Sequence, residues 1–431
     1  MSIWRSGSAV ASFPLAIGTP LGGYIDRTGP SSETLDDLEI GAFVLHLGER
    51  RLAIVTADVV GVDAGIVEAI GTTSGIPRAD LLVAASHTHS GPRGIVERLH
   101  PADSISKDPK LRARFVTIAA RALADAGERC EAVSLATSEW HVTGAWSNRN
   151  DPQGPNDSRL RMLTARRTDG TVQTAIVLVA CHPTVLGASS TSVSADLMGG
   201  MRRSLAAKLT DSQAPPVVLG LMGAAGDIST RFTRRESTHA EIDRLADLAT
   251  AGWEASRLHE RLLVPDASSL VAHRMTVTLP SILDAPATFD PEATMRAADR
   301  RLQELDTTGG SEAAYRQAIT KRQGAYLRTQ LRHLPGDRFR IELDAWRIDD
   351  RLALLNVPGE LFTSLGAKIE RESPFAQTWI SGYGNGYVGY IADCAAYESL
   401  TYEAMASPFA PGAGLMVTTS AERLLSTLRD L

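Results

Sequence analysis

The sequence is poor in cysteine and lacks the short motifs that usually announce a zinc site. Its three cysteines, Cys130, Cys181 and Cys394, lie far apart in a chain of 431 residues. An odd number of widely spaced cysteines argues against a disulfide framework and favours a reducing compartment. The chain also lacks an HExxH motif and paired CxxC motifs. None of the short zinc signatures therefore applies.

Long apolar runs and clusters of basic residues are missing as well. Ser, Pro and Gly interrupt the N-terminal stretch, and no later segment is apolar for long enough to span a bilayer. Lysine and arginine are scattered, and the net charge is −6, which argues against binding of nucleic acid. We therefore expect a cytoplasmic protein without a signal peptide or transmembrane segment. The sequence is compatible with a homo-oligomer as well as with a monomer.

Apolar runs of strand length alternate with amphipathic segments of helical spacing. This pattern predicts an α/β fold in which mixed β-sheets are flanked by helices in one large domain, residues 1–431. The predicted strands are 42–47, 52–56, 81–85, 174–181, 216–222 and 352–357, and the main predicted helices are 110–126, 195–209 and 361–371.

Residues 286–335 differ in composition from the rest of the chain. Two charged, alanine-rich helical stretches are joined there by Thr-Thr-Gly-Gly. This pattern predicts an antiparallel helical hairpin inserted into the main fold. We interpret it first as a structural appendage, with a lid, a packing arm or an oligomer contact as alternatives.

The stretch SHTHSGP, residues 86–92, follows the apolar strand 81–85 and ends in a turn. If the extended conformation continues through Thr88, His87 and His89 point to the same face, because side chains along a strand repeat with period 2. Two imidazoles that face one space suit a metal ion, a proton relay, or one of each. The alternative is a polar strand end in which the spacing is incidental.

Other apolar strands also end in residues that can carry chemistry, namely His182, Asp227, Ser229 and Glu360. Active sites of α/β folds assemble at the carboxyl ends of strands. Two histidines, a glutamate and an oxygen donor would suit zinc and leave a position for water. Each residue also has a structural interpretation: a core histidine, a turn residue, or a carboxylate at a helix N-terminus.

Several short motifs occur in the order seen in the neutral/alkaline ceramidase family, which the whole chain resembles. They are SHTHSGP, Asn148–Arg149, the strand-end His182, GDIS at 226–229, PGE at 358–360, NGYVGY at 385–390 and TYEA at 401–404.

The resemblance implies a zinc ion held by His87, His182, Glu360 and Tyr390. His89 would then lie beside the metal and transfer the proton of the attacking water to the leaving amine. For the neighbouring tyrosine, Tyr387, we expect a packing or hydroxyl-bonding role.

The same resemblance implies that Arg149 and Tyr402 hold the substrate head group or stabilise the developing oxyanion. Gly23 would be the backbone position that approaches that head group.

The sequence departs from the family pattern in two places. The family segment Gly–Asp–Val–Ser–Pro–Asn reads GDISTR here. We therefore expect Ser229 to shape the turn or bind substrate, and Asp227 to accept a hydrogen bond from a metal-site histidine. We also expect the C-terminal Ig-like domain of the family to be absent.

These inferences predict a zinc-dependent hydrolase that cleaves an amide bond through a metal-activated water. The substrate would be ceramide, a sphingolipid, or a related N-acyl amide, with another small amide, a lactam or an ester as competitors. One alternative is a serine hydrolase in which Ser229 attacks and His89 or His182 is the base. The other is a non-catalytic protein that binds zinc or a ligand.

Overall fold

Three larger β-sheets flanked by helices form the part of the chain that this computed structural model describes. The described residues are 3–96, 107–210, 215–266, 268–285, 289–331 and 338–431. The strands in chain order are β1 Arg5–Ser12, β2 Glu33–Thr34, β3 Glu39–Leu47, β4 Arg50–Ala57, β5 Leu81–Ala85, β6 Glu131–Ala132, β7 Ser134–His141, β8 Ser147–Asn148, β9 Arg159–Arg166, β10 Val172–Val179, β11 Ser192–Val193, β12 Val217–Met222, β13 Ile228–Ser229, β14 Arg261–Leu263, β15 Val271–Pro280, β16 Arg338–Arg347, β17 Leu352–Val357, β18 Glu360–Leu361, β19 Gln377–Gly382 and β20 Tyr390–Ile391. The α-helices are α1 Ala64–Ser74, α2 Pro109–Glu128, α3 Asp196–Leu209, α4 His239–Thr250, α5 Trp253–Ser256, α6 Pro291–Thr308, α7 Glu312–Leu331, α8 Thr363–Glu372, α9 Cys394–Glu398, α10 Tyr402–Ala406 and α11 Ala413–Asp430.

Each of the three larger sheets is mixed. Their strand orders are β5-β4-β3-β1-β6, β12-β10-β9-β7-β14 and β15-β16-β17-β19. One pair in each sheet is parallel, namely β4 with β5, β10 with β12, and β17 with β19, whereas the other neighbours are antiparallel. The predicted mixed α/β architecture is therefore confirmed. The parallel pairs matter most, because their carboxyl ends supply the site described below.

The hydrophobic core joins the three sheets to one another. One cluster takes Leu82 from the first sheet, Ile176 and Leu221 from the second, and Leu354 and Trp379 from the third. The outer faces of the sheets are covered by helices, α1 to α4 over the first two sheets and α8 with α11 over the third. Burial on both faces explains why the parallel strands are continuous apolar runs.

The third sheet is tied to the first by Asn385, which lies at a positive φ of 54° after β19. Its backbone N–H donates to Val83 O at 2.8 Å, and its side-chain Oδ1 accepts from Val83 N at 2.9 Å. Its Nδ2 donates to Leu81 O at 3.0 Å and to Asp344 Oδ2 at 2.9 Å. One amide therefore extends the edge of β5 and fixes the segment that follows β19.

The charged, alanine-rich segment forms the predicted helical hairpin of α6 and α7. The two helices are antiparallel, because Tyr315 donates to Asp306 at 2.8 Å near the turn and Arg322 contacts Asp299 at 2.6 Å farther along. The outermost residues of the predicted insertion, 286–288 and 332–335, lie outside the described part.

The hairpin packs through α7 against α10. Lys321 Nζ donates to Leu400 O at 2.8 Å, and Arg328 donates to the carbonyls of Met405 and Ala404 at 2.9 and 2.6 Å. The hairpin therefore supports the short helix that begins at Tyr402. Among the described residues, no helix is long and apolar enough to cross a membrane.

Candidate metal centre and active site

His87 enters the site through a left-handed backbone conformation. The strand before it ends at Ala85, and His87 has φ of 62°. The extended conformation that would have placed His87 and His89 on the same face therefore does not continue through Thr88. Its N–H donates to Val59 O at 3.0 Å, and its ring Nδ1 contacts Val60 O at 2.7 Å. These two bonds to the loop after β4 hold His87 in a conformation that is unfavourable for most residues.

His182 and Glu360 come from the second and third sheets and meet His87. His182 Nδ1 lies 2.7 Å from Ala225 O and 3.1 Å from Ile228 O. Its Nε2 is 2.9 Å from Glu360 Oε2, and His87 Nε2 is 3.4 Å from the same oxygen. Because both Nδ1 atoms donate to backbone carbonyls, both Nε2 lone pairs face the carboxylate, as required of imidazole metal ligands.

His89 completes a cluster of three imidazoles. Its Nε2 lies 3.3 Å from His87 Nε2, and one ligand nitrogen from each of His87, His89 and His182 lies within 4.8 Å of the others, so the cluster fits a metal ion. The His89 ring packs edge-on against Tyr24, with centroids 4.7 Å apart. A Cβ added to Gly23 would lie 2.4 Å from His89 Cγ, so only glycine fits there.

Burial and mutual repulsion set the protonation states of this cluster. Burial, together with the neighbouring His87 and His182, holds the pKa of His89 well below its usual range. Burial and the charge of Arg149 lower the pKa of His182 to about 4. Burial raises the pKa of the Glu360 carboxyl, but the facing imidazoles outweigh burial and hold that pKa well below its usual range. His89 and His182 are therefore neutral, and Glu360 is ionised, at neutral pH.

Two tyrosines lie next to Glu360. Tyr387 donates its hydroxyl to Glu360 Oε1 at 2.5 Å, which is the hydroxyl-bonding role expected for it. Tyr390 stands directly opposite Glu360 in the short parallel pair β18 and β20. Its hydroxyl is 3.1 Å from Arg149 Nη2. The Tyr387 hydroxyl therefore contacts the carboxylate, whereas the Tyr390 hydroxyl contacts Arg149.

Arg149 is buried and held by a carboxylate that the sequence did not single out. Its Nε donates to Glu403 Oε1 at 2.6 Å, and its Nη2 donates to Gly226 O at 2.8 Å. Within the described residues no hydrogen bond engages its Nη1 or the hydroxyl of Tyr402. Glu403 directly follows Tyr402 in the TYEA motif. Its position next to a predicted site residue was the only indication in the sequence that Glu403 belongs to the site.

The structure separates Asp227 from the histidines. The Asp227 carboxylate accepts from Thr363 N at 2.9 Å and from Asn148 Nδ2 at 2.8 Å. Burial raises the pKa of Asp227 to about 6. The expectation that Asp227 accepts from a metal-site histidine is wrong, because backbone carbonyls already take the Nδ1 proton of His182. Asp227 instead fixes the start of α8 and the loop that carries Arg149.

Ser229 lies in the short strand β13, with its Oγ accepting from Arg231 N at 3.2 Å. No hydrogen bond joins Ser229 to His89 or His182 in the described residues. Its contacts match the expected turn-shaping role, whereas a nucleophilic serine needs a base within hydrogen-bond reach.

Six of the predicted site residues line a cavity of about 150 Å³. Gly23, His89, Arg149, Ser229, Tyr390 and Tyr402 all line it, as do Thr320 and Gln323 of α7. The hairpin therefore forms part of the site wall and is not a remote appendage. Two further residues that line the cavity, Arg231 and Arg234, were not predicted from the sequence, because arginines in a loop show no regular spacing that would indicate a site.

Comparison with known proteins was made at the level of sequence and of structure. No protein-family profile matches the sequence, and no curated protein matches it significantly. Two solved structures are similar in fold. The neutral ceramidase from Pseudomonas aeruginosa has a TM-score of 0.76 and 17% identity, over 100% of this chain and 75% of that one. A ceramidase complexed with C2 has a TM-score of 0.77 and 16% identity, over 100% of this chain and 76% of that one.

These likenesses cover the whole chain at low identity. This chain has the fold of the neutral ceramidases.

Proposed function

We propose that this protein is a zinc-dependent hydrolase that cleaves an amide bond. The observation that carries the proposal is the convergence of two imidazole Nε2 atoms on Glu360 Oε2, at 3.4 and 2.9 Å, beside a third imidazole and a cavity. A carboxylate and two imidazoles are a donor set that zinc prefers, and the third histidine is close enough to transfer a proton.

His87, His182 and Glu360 would hold the zinc, with Tyr390 as the fourth ligand. The position of Tyr390 opposite Glu360 supports this assignment. When bound, zinc lowers the pKa of a coordinated water to about 7 and polarises a carbonyl group. The carbonyl contacts at both Nδ1 atoms keep the two imidazoles oriented toward the ion.

His89 is the proton-transfer residue in this proposal. Its low pKa keeps the ring neutral and ready to accept a proton from the attacking water at Nε2. The same nitrogen then delivers that proton to the leaving amine. Gly23 and Tyr24 hold the ring in place.

Arg149 and Tyr402 would bind the substrate and stabilise the negative charge that develops on its carbonyl oxygen. The ion pair with Glu403 orients the Arg149 guanidinium, while its Nη1 makes no hydrogen bond with the described residues. Gly23 and Ser229 line the same cavity and would contact the substrate.

The two similar structures are both named ceramidases. This supports ceramide or a related N-acyl amide as the substrate class. The decisive experiment combines metal analysis with a screen of amides that vary in acyl chain and in amine, using Ser229→Ala as the comparison variant.

We expect bound zinc, loss of activity on chelation, recovery on readdition of zinc, and turnover of an N-acyl amide by Ser229→Ala. Activity that survives exhaustive metal removal and disappears in Ser229→Ala would refute the zinc mechanism. Turnover of long-chain ceramide would support the ceramidase substrate, and activity on small polar amides alone would exclude it.

A further inference from the structure

Two arginines that line the site cavity have no carboxylate partner, and we propose that they bind an anionic group of the substrate. On this inference, which rests on the proposed function, the substrate is an amide that carries a carboxylate or a similar oxyanion. Arg231 and Arg234 would hold the oxyanion, while Arg149 and His89 act at the amide.

The two guanidinium groups are held by backbone carbonyls. Arg231 Nη1 donates to Arg149 O at 3.1 Å. Arg234 Nη1 donates to Thr184 O at 2.5 Å and to Val185 O at 3.1 Å. Neither arginine forms an ion pair among the described residues. These neutral contacts orient both side chains, but they leave both positive charges uncompensated.

Two carboxylates at the site cavity, those of Glu403 and Asp26, already accept hydrogen bonds from other side chains. Glu403 accepts from Arg149 and, at 3.0 Å, from Asn150. Asp26 is exposed and accepts from Gln323. Burial and repulsion by Arg149 outweigh the attraction of Glu403 and lower the pKa of Arg231 to about 10. A buried or half-buried charge of this kind is stabilised by an opposite charge.

The cavity adjoins a groove of about 1290 Å³ between the helical hairpin and the body of the protein. Arg231 and Arg234 line both spaces, so the groove leads to the site. The other charged residues of the groove are mostly basic. They are Arg149, Arg235, Arg301, Arg316 and Lys321, against Asp151, Glu236 and Asp290.

A basic groove is unusual in a chain with a net charge of −6. Such a groove raises the local concentration of anions and steers them to the site. A neutral amide would give Arg231 and Arg234 no partner, whereas a carboxylate matches the fork of donors on each guanidinium.

Matched pairs of amides that differ only in charge test this inference. One pair is N-octanoylglycine and N-octanoylglycinamide, with the charge on the amine side. The other pair is N-butylsuccinamic acid and N-butylsuccinamide, with the charge on the acyl side. The zinc-loaded wild type is compared with Arg231→Gln and Arg234→Gln. Arg296→Gln, an exposed arginine of α6 outside both cavities, is the control.

We expect the anionic member of at least one pair to have a kcat/KM higher by about ten-fold or more, since hydrogen bonds to charged groups are the strong ones. Each cavity variant should remove most of that preference, measured as the ratio of kcat/KM for the anionic member to kcat/KM for the neutral member. Arg296→Gln should keep the preference.

Calorimetric binding of the same compounds is measured alongside turnover. Equal kcat/KM for the charged and neutral members, with amide hydrolysis intact, would overturn this inference and leave the proposed function standing. Absence of turnover for every amide would refute the proposed function. The binding measurements would then test the inference by themselves. Tighter binding of the anionic compounds than of the neutral ones, lost in both Arg231→Gln and Arg234→Gln, would support it. Equal binding of the anionic and neutral compounds would overturn it.

Discussion

Replacement of Gly23 by alanine should disable His89 without touching the metal ligands. Gly23 has φ of 91°, and a Cβ at this position would lie 2.4 Å from His89 Cγ and 2.7 Å from His89 Nδ1. Ordinary contact begins at 3.4 Å, so the imidazole has to recede by about 1 Å. Any such movement changes the 3.3 Å distance between His89 Nε2 and His87 Nε2.

Two effects of this substitution can be separated. A left-handed conformation costs a residue with a Cβ about 1–2 kcal/mol, which lowers the free energy of unfolding. Displacement of a catalytic group by about 1 Å lowers the rate by about a hundred-fold. Gly18 supplies a matched control, because it has the same φ of 91° and nothing within 4 Å of an added Cβ. Gly18→Ala should therefore show the first effect alone.

The assay compares kcat/KM on an N-acyl amide, zinc content per chain and urea unfolding for the two variants. We expect similar losses of stability, full zinc content in both, and a fall of about a hundred-fold in kcat/KM for Gly23→Ala only. Equal kcat/KM in the two variants would refute the role of Gly23 in positioning His89. Loss of zinc in Gly23→Ala would show that the displacement reaches the metal ligands.

Three further predictions concern other parts of the site and the fold. His87→Ala should lose bound zinc, whereas His89→Gln should keep zinc and lose about 10²–10⁴-fold in kcat. If the two variants behave identically in metal analysis and kinetics, the assignment of His87 as metal ligand and His89 as proton-transfer residue is refuted. Burial raises the pKa of Asp196 to about 6, so the folded state binds more protons than the unfolded state between about pH 4 and 6, and the free energy of unfolding falls as pH rises through that window. Urea titrations should show a smaller fall in Asp196→Asn, and identical slopes would contradict this assignment. Asn385→Ala should lower the free energy of unfolding by about 2–4 kcal/mol, because it leaves buried partners on β5 and at Asp344 unsatisfied; a loss below about 1 kcal/mol in urea unfolding would refute the bridging role of that amide.

Sequence periodicity was sufficient to predict most of the strands and helices whose apolar residues face a core. It did not indicate β1, whose sequence RSGSAVAS is rich in small residues. A Cβ on Gly7 would lie 2.1 Å from Ala126 O, so a small residue is required where β1 passes under α2. This requirement comes from a helix more than a hundred residues away, and the local pattern contains no trace of it.

In the site, too, the sequence predicted some features and missed others that depend on distant contacts. Strand ends and motif order pointed to His87, His182 and Glu360, and these three side chains do converge. The reason given for His87 was nevertheless wrong, because a left-handed residue bonded to Val59 directs the ring. Hydrogen bonds to distant backbone groups settle such conformations, and a single sequence does not contain their geometry.

What the sequence by itself determined is the set of chemical groups and the strands that deliver them, because hydrophobic period and strand length are local properties. Only the tertiary structure decided what each group touches. In the folded chain Arg149 pairs with Glu403, and Asp227 accepts hydrogen bonds from Thr363 and Asn148. Basic side chains also line the groove beside the helical hairpin. The physical reason is that a contact depends on the packing of three sheets against one another, whereas a motif records only neighbours along the chain.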